Sequence, residues 1–226
     1  MIGDHLVISD FHRAGAEQIF DAILPRLTTA TRPLVVAIAG ETGAGKSETA
    51  ACLCELLEDR GLRTLTLCQD DYSRLPPGKN HKRRRNDPTW IGPGEVRLDL
   101  LDEHVRTLRD RPDDPIDKPL VFFDEDRIDE EIVHPLSPAV IVVEGTYTAL
   151  LESADVRVFI DRTNRQSRTL RVQGEQNPDP AFLETVLGIE HEIIAKHRAS
   201  ADILIAAPLG VRLTEAVTRT PSPNVS

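Results

Sequence analysis

The run Gly40-Glu41-Thr42-Gly43-Ala44-Gly45-Lys46-Ser47 fits the spacing GxxxxGK(S/T). Glycines there let successive backbone N–H groups turn toward phosphate oxygens, because a side chain would block the approach and resist the positive φ such a turn needs. Lys46 supplies a point charge for the β- and γ-phosphates of a nucleotide, Ser47 a hydroxyl able to ligate Mg²⁺, and the helix that follows the positive end of its dipole. Glu41, Thr42, Ala44 and Glu48 complete the nucleotide-binding stretch. Two more acidic positions suit phosphoryl transfer. Glu144 ends the apolar run "IVVE", where its carboxylate can hold Mg²⁺ or orient a neighbour. Asp70 and Asp71 follow the apolar "TLTLC". A carboxylate at that edge can take the proton from an attacking hydroxyl. The competing readings are a glycine turn joining a strand to a helix, a strand-end glutamate in solvent and a turn aspartate. The strand before the glycines and the helix after them favour the phosphate-binding reading.

The elements that must position these groups follow from hydrophobic periodicity. Apolar runs of strand length stand at 34–39, 64–68, 139–145, 156–160 and 201–206, and helical periodicity covers 46–60, 94–110, 162–172 and 181–197. Buried strands alternating with helices imply a mainly parallel five-stranded sheet covered on both faces, a three-layer α/β/α sandwich of the P-loop NTPase class. In such sheets ligands bind at the carboxyl ends of the strands, the edge that carries Gly40, Asp70 and Glu144. Residues 119–133 read as a short hairpin insertion, and 9–28 as a packing helix outside the catalytic core. One domain over 1–226 is expected, with a helical extension over 1–32, a core over 33–208 and a disordered tail over 219–226.

Composition bounds the partners. The formal charge is 27 − 37 = −10, which repels polyanions over most of the surface. Nucleic acid would have to be met by the run Lys79 to Arg85 alone, read as a mobile basic loop because Pro76, Pro77 and Gly78 precede it. No apolar run approaches the roughly 20 residues of a membrane span, and no signal-peptide pattern opens the chain, so a cytoplasmic protein is expected. Cys52 and Cys54 point about 200° apart on a helix and cannot share a metal; with Cys68 they read as buried thiols. A homo-oligomer is compatible with the sequence.

The order of phosphate loop, strand, "QDDY", hairpin ending near Arg127, "VVEG", arginine-bearing helix and "ADILI" resembles the uridine kinase and phosphoribulokinase family over roughly 33–208. The resemblance implies a kinase that uses ATP and Mg²⁺ to phosphorylate a small hydroxylated substrate, with a uridine- or cytidine-like nucleoside the first candidate. By the same resemblance Asp70 matches the family's catalytic base, and Glu144 its strand-end glutamate. The arginines after the fourth strand match a helical lid that closes over ATP. Arg162, Arg165, Arg168 and Arg171 recur every third residue, so neighbouring pairs, but not all of them, can face one phosphate. Arg168 and Arg171 are the expected catalytic pair, with Arg165 on the nucleotide. Acceptor contacts are expected from Asp71, Tyr72, Trp90, Phe123 and Arg127. Where uridine kinases carry a tyrosine and a histidine, this hairpin has Phe122, Phe123, Asp124 and Glu125. That departure leaves kinases of a sugar, vitamin precursor or antibiotic as alternatives. The basic run motivates a further one, a nucleotide-dependent switch or nucleic-acid-associated ATPase.

Overall fold

The computed structural model describes residues 6–162, 179–206 and 210–213. At its centre are β1 (Leu34–Gly40), β2 (Thr64–Cys68), β5 (Val140–Glu144), β6 (Val156–Asp161) and β7 (Ile203–Ala206), parallel and ordered β2-β5-β1-β6-β7. Every residue of β1 and β5 is buried, which is why both read as unbroken apolar runs rather than alternating ones. A sixth strand, β8 (Gly210–Leu213), adds antiparallel to β7, beyond the point where the sequence suggested the core would end.

Alternate residues of β1 serve two cores. Val36 and Ile38 pack under α1 (Asp10–Leu27) and α2 (Lys46–Glu58), while Val35, Ala37 and Ala39 meet the layer that contains α4 (Leu98–Asp110). Ala16, Ile19 and Ile23 of α1 are buried in the first cluster beside Leu53, so the helix expected as an extension shares the core of the sheet. Gly61, at φ +76°, ends α2 and lets the Leu62 N–H return to the Leu57 carbonyl at 3.1 Å.

Two segments differ from the sequence reading or refine it. The basic run is no loop, for Pro77–Asn86 form the helix α3. Pro77 sits in the first turn, where a missing N–H costs nothing, and the lysines and arginines that follow are good helix formers. The hairpin is a separate antiparallel pair, β3 (Ile116–Phe122) and β4 (Arg127–Val133). Its turn residue Asp126 accepts the Gly78 N–H at 2.6 Å and so caps α3 from another element. A further helix, α5 (Pro180–Ile194), precedes β7.

Candidate active site

β1 delivers the chain into the phosphate loop at Gly40, where a Cβ would stand 2.9 Å from the Ile160 carbonyl oxygen of β6. Gly43 and Gly45 adopt left-handed φ of +79° and +95°, and α2 begins at Lys46. The buried Lys46 Nζ donates to the Glu41 carbonyl at 3.1 Å. Ser47 Oγ donates to Glu144 Oε2 at 3.2 Å. A hydroxyl and a buried carboxylate thus meet at the start of α2, a donor set that fits Mg²⁺, which takes few protein oxygens and keeps several waters. Burial pushes the Glu144 carboxyl up, and the charge of Asp70 pushes the same way; Lys46 opposes both.

The next strand end supplies the aspartates. Gln69–Tyr72 form a single 3₁₀ turn directly after β2, and Cys68 is in register with Glu144. Gln69 is buried and its Oε1 accepts the Tyr147 N–H at 2.6 Å. A Cβ on Gly145 would lie 2.3 Å from Gln69 Cβ, so the glycine after Glu144 is the space into which "QDDY" packs. Asp70 is exposed at this edge. Asp71 is turned away and buried, accepting Lys118 Nζ at 2.9 Å and the Val121 N–H at 3.1 Å from β3. Tyr72 is fully buried with its hydroxyl 3.0 Å from His104 Nδ1, and burial pushes its phenol far up. Asp71 and Tyr72 therefore anchor the hairpin and α4 instead of offering an acceptor surface, a correction to the sequence expectation.

The remaining expected acceptor contacts are dispersed. Trp90 donates its indole N–H to Asn80 Oδ1 at 2.8 Å and lies under the Arg83 guanidinium at 3.9 Å, fastening α3 to the following turn. Phe123 is exposed on the hairpin turn. Arg127 pairs with Glu125 and Asp129 and covers the Phe122 ring, all within the hairpin. An open cavity of about 420 Å³ lies on this side, lined by Arg97, Pro119, Ile128, Asp129 and Glu130, and contains none of the phosphate-loop groups. Arg162 ends up over the Phe11 ring of α1. Arg165, Arg168 and Arg171 lie outside the described residues.

The sequence reading missed a polar network over the loop. Thr42 Oγ1 donates to Glu190 Oε2 of α5 at 2.7 Å, and His191 Nδ1 lies 2.6 Å from Glu41 Oε1. Arg84 of α3 reaches Glu95 at 2.6 Å and Glu190 at 3.4 Å, and Asn80 donates to the same Glu95 at 2.6 Å. Tyr147, just after Glu144, is 2% exposed, and its hydroxyl has no hydrogen-bond partner among the described residues. Its surrounding charges are Glu190, Glu95, Arg84 and Asp70. Glu190 had a signal: it falls between Val186 and Ile194 on the buried stripe of its helix, where a charge requires a partner.

A phosphate loop joined to an acidic strand edge, on a parallel sheet of this order, defines a P-loop nucleotide-binding protein, and its relatives are kinases of small molecules. Among the known structures that share the fold are two kinases. They are D-glycerate 3-kinase from Cryptococcus neoformans (TM-score 0.61, 16% identity, 88% of this chain and 99% of that one) and phosphoribulokinase from Rhodobacter spheroides (TM-score 0.58, 11% identity, 78% and 71%). A uridine kinase of Geobacillus sp. strain WCH70 is 26% identical over 195 residues, covering 77% of this chain and 86% of its own. The model of the phosphoribulokinase / uridine kinase family matches residues 35–167, more than half of the chain, and the chain belongs to that family.

Proposed function

We propose that this kinase transfers the γ-phosphate of Mg-ATP to a hydroxyl of a small metabolite, with a uridine- or cytidine-like nucleoside the first candidate. The observation that carries this reading is the convergence of Lys46, the Ser47–Glu144 pair and the exposed Asp70 on adjacent strand ends of one sheet edge. Asp70 takes the proton of the acceptor hydroxyl as its oxygen bonds to the γ-phosphorus and the bond to the β,γ-bridging oxygen breaks, releasing ADP. The loop amides and Lys46 hold the phosphates. When bound, Mg²⁺ at Ser47 and Glu144 would offset phosphate charge. Arg168 and Arg171, with Arg165 on the nucleotide, are proposed to neutralise the charge that develops on the transferred group.

The hairpin departure at Phe122 to Glu125 keeps other acceptors in view, such as a sugar, vitamin precursor or antibiotic. The motive for the switch or nucleic-acid reading is weaker, because the three arginines of the basic run each have a partner within the fold: Arg83 on Trp90, Arg84 on Glu95 and Arg85 on Phe182 and Asp179. The test is a screen of nucleosides, sugars, polyols and vitamin precursors for acceptor-dependent ADP release. One chemical class is expected to raise release well above the rate with water alone. If no acceptor does so, transfer to a small hydroxylated molecule is wrong.

Tyr147 is the proposed acceptor contact from the missed network. A buried hydroxyl without a partner costs about 1–3 kcal/mol. Tyr147→Phe is therefore expected to leave the unfolding midpoint unchanged or higher while kcat/KM for the acceptor falls about tenfold. Thermal unfolding and steady-state rates check both halves. A lower midpoint would show that the hydroxyl serves the fold.

A further inference from the structure

The first turn of α1 touches the phosphate loop from behind. His12 is 2% exposed, and its Nδ1 accepts the Ser9 N–H at 3.1 Å and lies 3.3 Å from Ser9 Oγ. Accepting at Nδ1 leaves the proton of the neutral ring on Nε2. That far edge of the ring is laid against Gly45, where a Cβ would stand 2.5 Å from Nε2 and 2.8 Å from Cδ2. The helix is held in place nearby, since a Cβ on Gly15 would meet Thr49 of α2 at 3.6 Å and Ile205 of β7 at 3.5 Å.

Gly45 is the residue that most needs such a brace. It sits at φ +95° immediately before Lys46, and a glycine has no side chain of its own to limit its backbone. The amides of Gly45 and the residues around it can bind phosphate well only if they stay aimed at one point. An imidazole fixed at Ser9 and filling the volume behind Gly45 bars the loop from relaxing backward.

We propose that His12 is a positioning residue for nucleotide binding, acting through Gly45 on the amides that grip the diphosphate, so that α1 is part of the nucleotide site. This rests on the Mg-ATP reading above and adds an element of the chain remote in sequence from the phosphate-binding motif.

Two amides separate bracing from helix capping. Glutamine at position 12 places its terminal amide near the Nε2 edge and keeps the space behind Gly45 filled. Asparagine mimics Nδ1, keeping the bond to Ser9 but emptying that space. Binding of Mg-ADP and Mg-ATP to the full chain is measured by calorimetry, well below each variant's unfolding midpoint. His12→Ala and His12→Asn are expected to raise both dissociation constants by the same factor, about tenfold, with His12→Gln close to wild type. Three outcomes would overturn the proposal while leaving ATP binding intact. These are wild-type affinity in all variants, rescue by asparagine but not glutamine, or a loss confined to Mg-ATP, which would put the effect at the γ-phosphate. A wild-type protein that binds neither nucleotide would remove the nucleotide reading, and this proposal with it.

Discussion

Asp70→Asn is expected to lower kcat by about 10²–10⁴ while Mg-ATP affinity changes less than about twofold. Asparagine keeps the shape of the side chain and cannot take a proton. The residue is exposed at the end of β2, so the substitution removes no packing. Nor should it harm the metal site. The Asp70 charge is one of the influences that push the Glu144 carboxyl up, second to burial, so its loss makes Glu144 easier to ionise. Turnover at saturating acceptor and calorimetry with Mg-ATP read the two effects separately, and unchanged turnover would end the assignment of Asp70 as base. The neighbouring Asp71→Asn should behave in the opposite way. Its carboxylate is buried against Lys118 Nζ and the Val121 N–H, and breaking a buried pair from one side costs about 3 kcal/mol. Here the unfolding midpoint should fall.

That contrast shows where sequence reading ends. Adjacent aspartates are equivalent in a string of letters, but a 3₁₀ turn rotates about 120° per residue, sending Asp70 to solvent and Asp71 under the hairpin. The strand, loop and helix around Gly40 to Ser47 were legible because they are contiguous and each carries its own signal: a buried apolar run, glycines, then helical periodicity. Glu144 was legible as a charge ending an apolar strand. The network above the loop was not, because its members come from four separate stretches: Arg84, Glu95, Tyr147 and Glu190. His12 shows the same limit, since the sequence reading of its helix had no way to see that one residue of the first turn meets Gly45. Helix α3 was misread for a local reason. Two prolines and a glycine suggested a break, yet a proline in the first turn begins a helix as readily as it ends one.

Lys46→Met should remove more than one charge's worth of nucleotide binding, with kcat/KM for ATP falling roughly 10²–10³-fold. The ammonium is buried at the mouth of the loop, where it donates to the Glu41 carbonyl and is oriented before any phosphate arrives. It also acts on two buried carboxyls. Burial raises both Glu144 and Glu190, and Lys46 pulls both down. Without it each carboxyl holds its proton to higher pH, and a protonated Glu144 cannot serve Mg²⁺. The variant's deficit should therefore be larger at pH 6 than at pH 8, because raising the pH restores the carboxylate but not the missing cation. Glu190 differs from Glu144 in having Arg84 as a second cation within reach, at 3.4 Å, so its bond to Thr42 should survive the substitution and the loop should keep its shape. Titration of Mg²⁺ against nucleotide binding at the two pH values checks this. A deficit independent of pH would mean that Lys46 acts on the phosphates alone, and an affinity within twofold of wild type would remove it from the site.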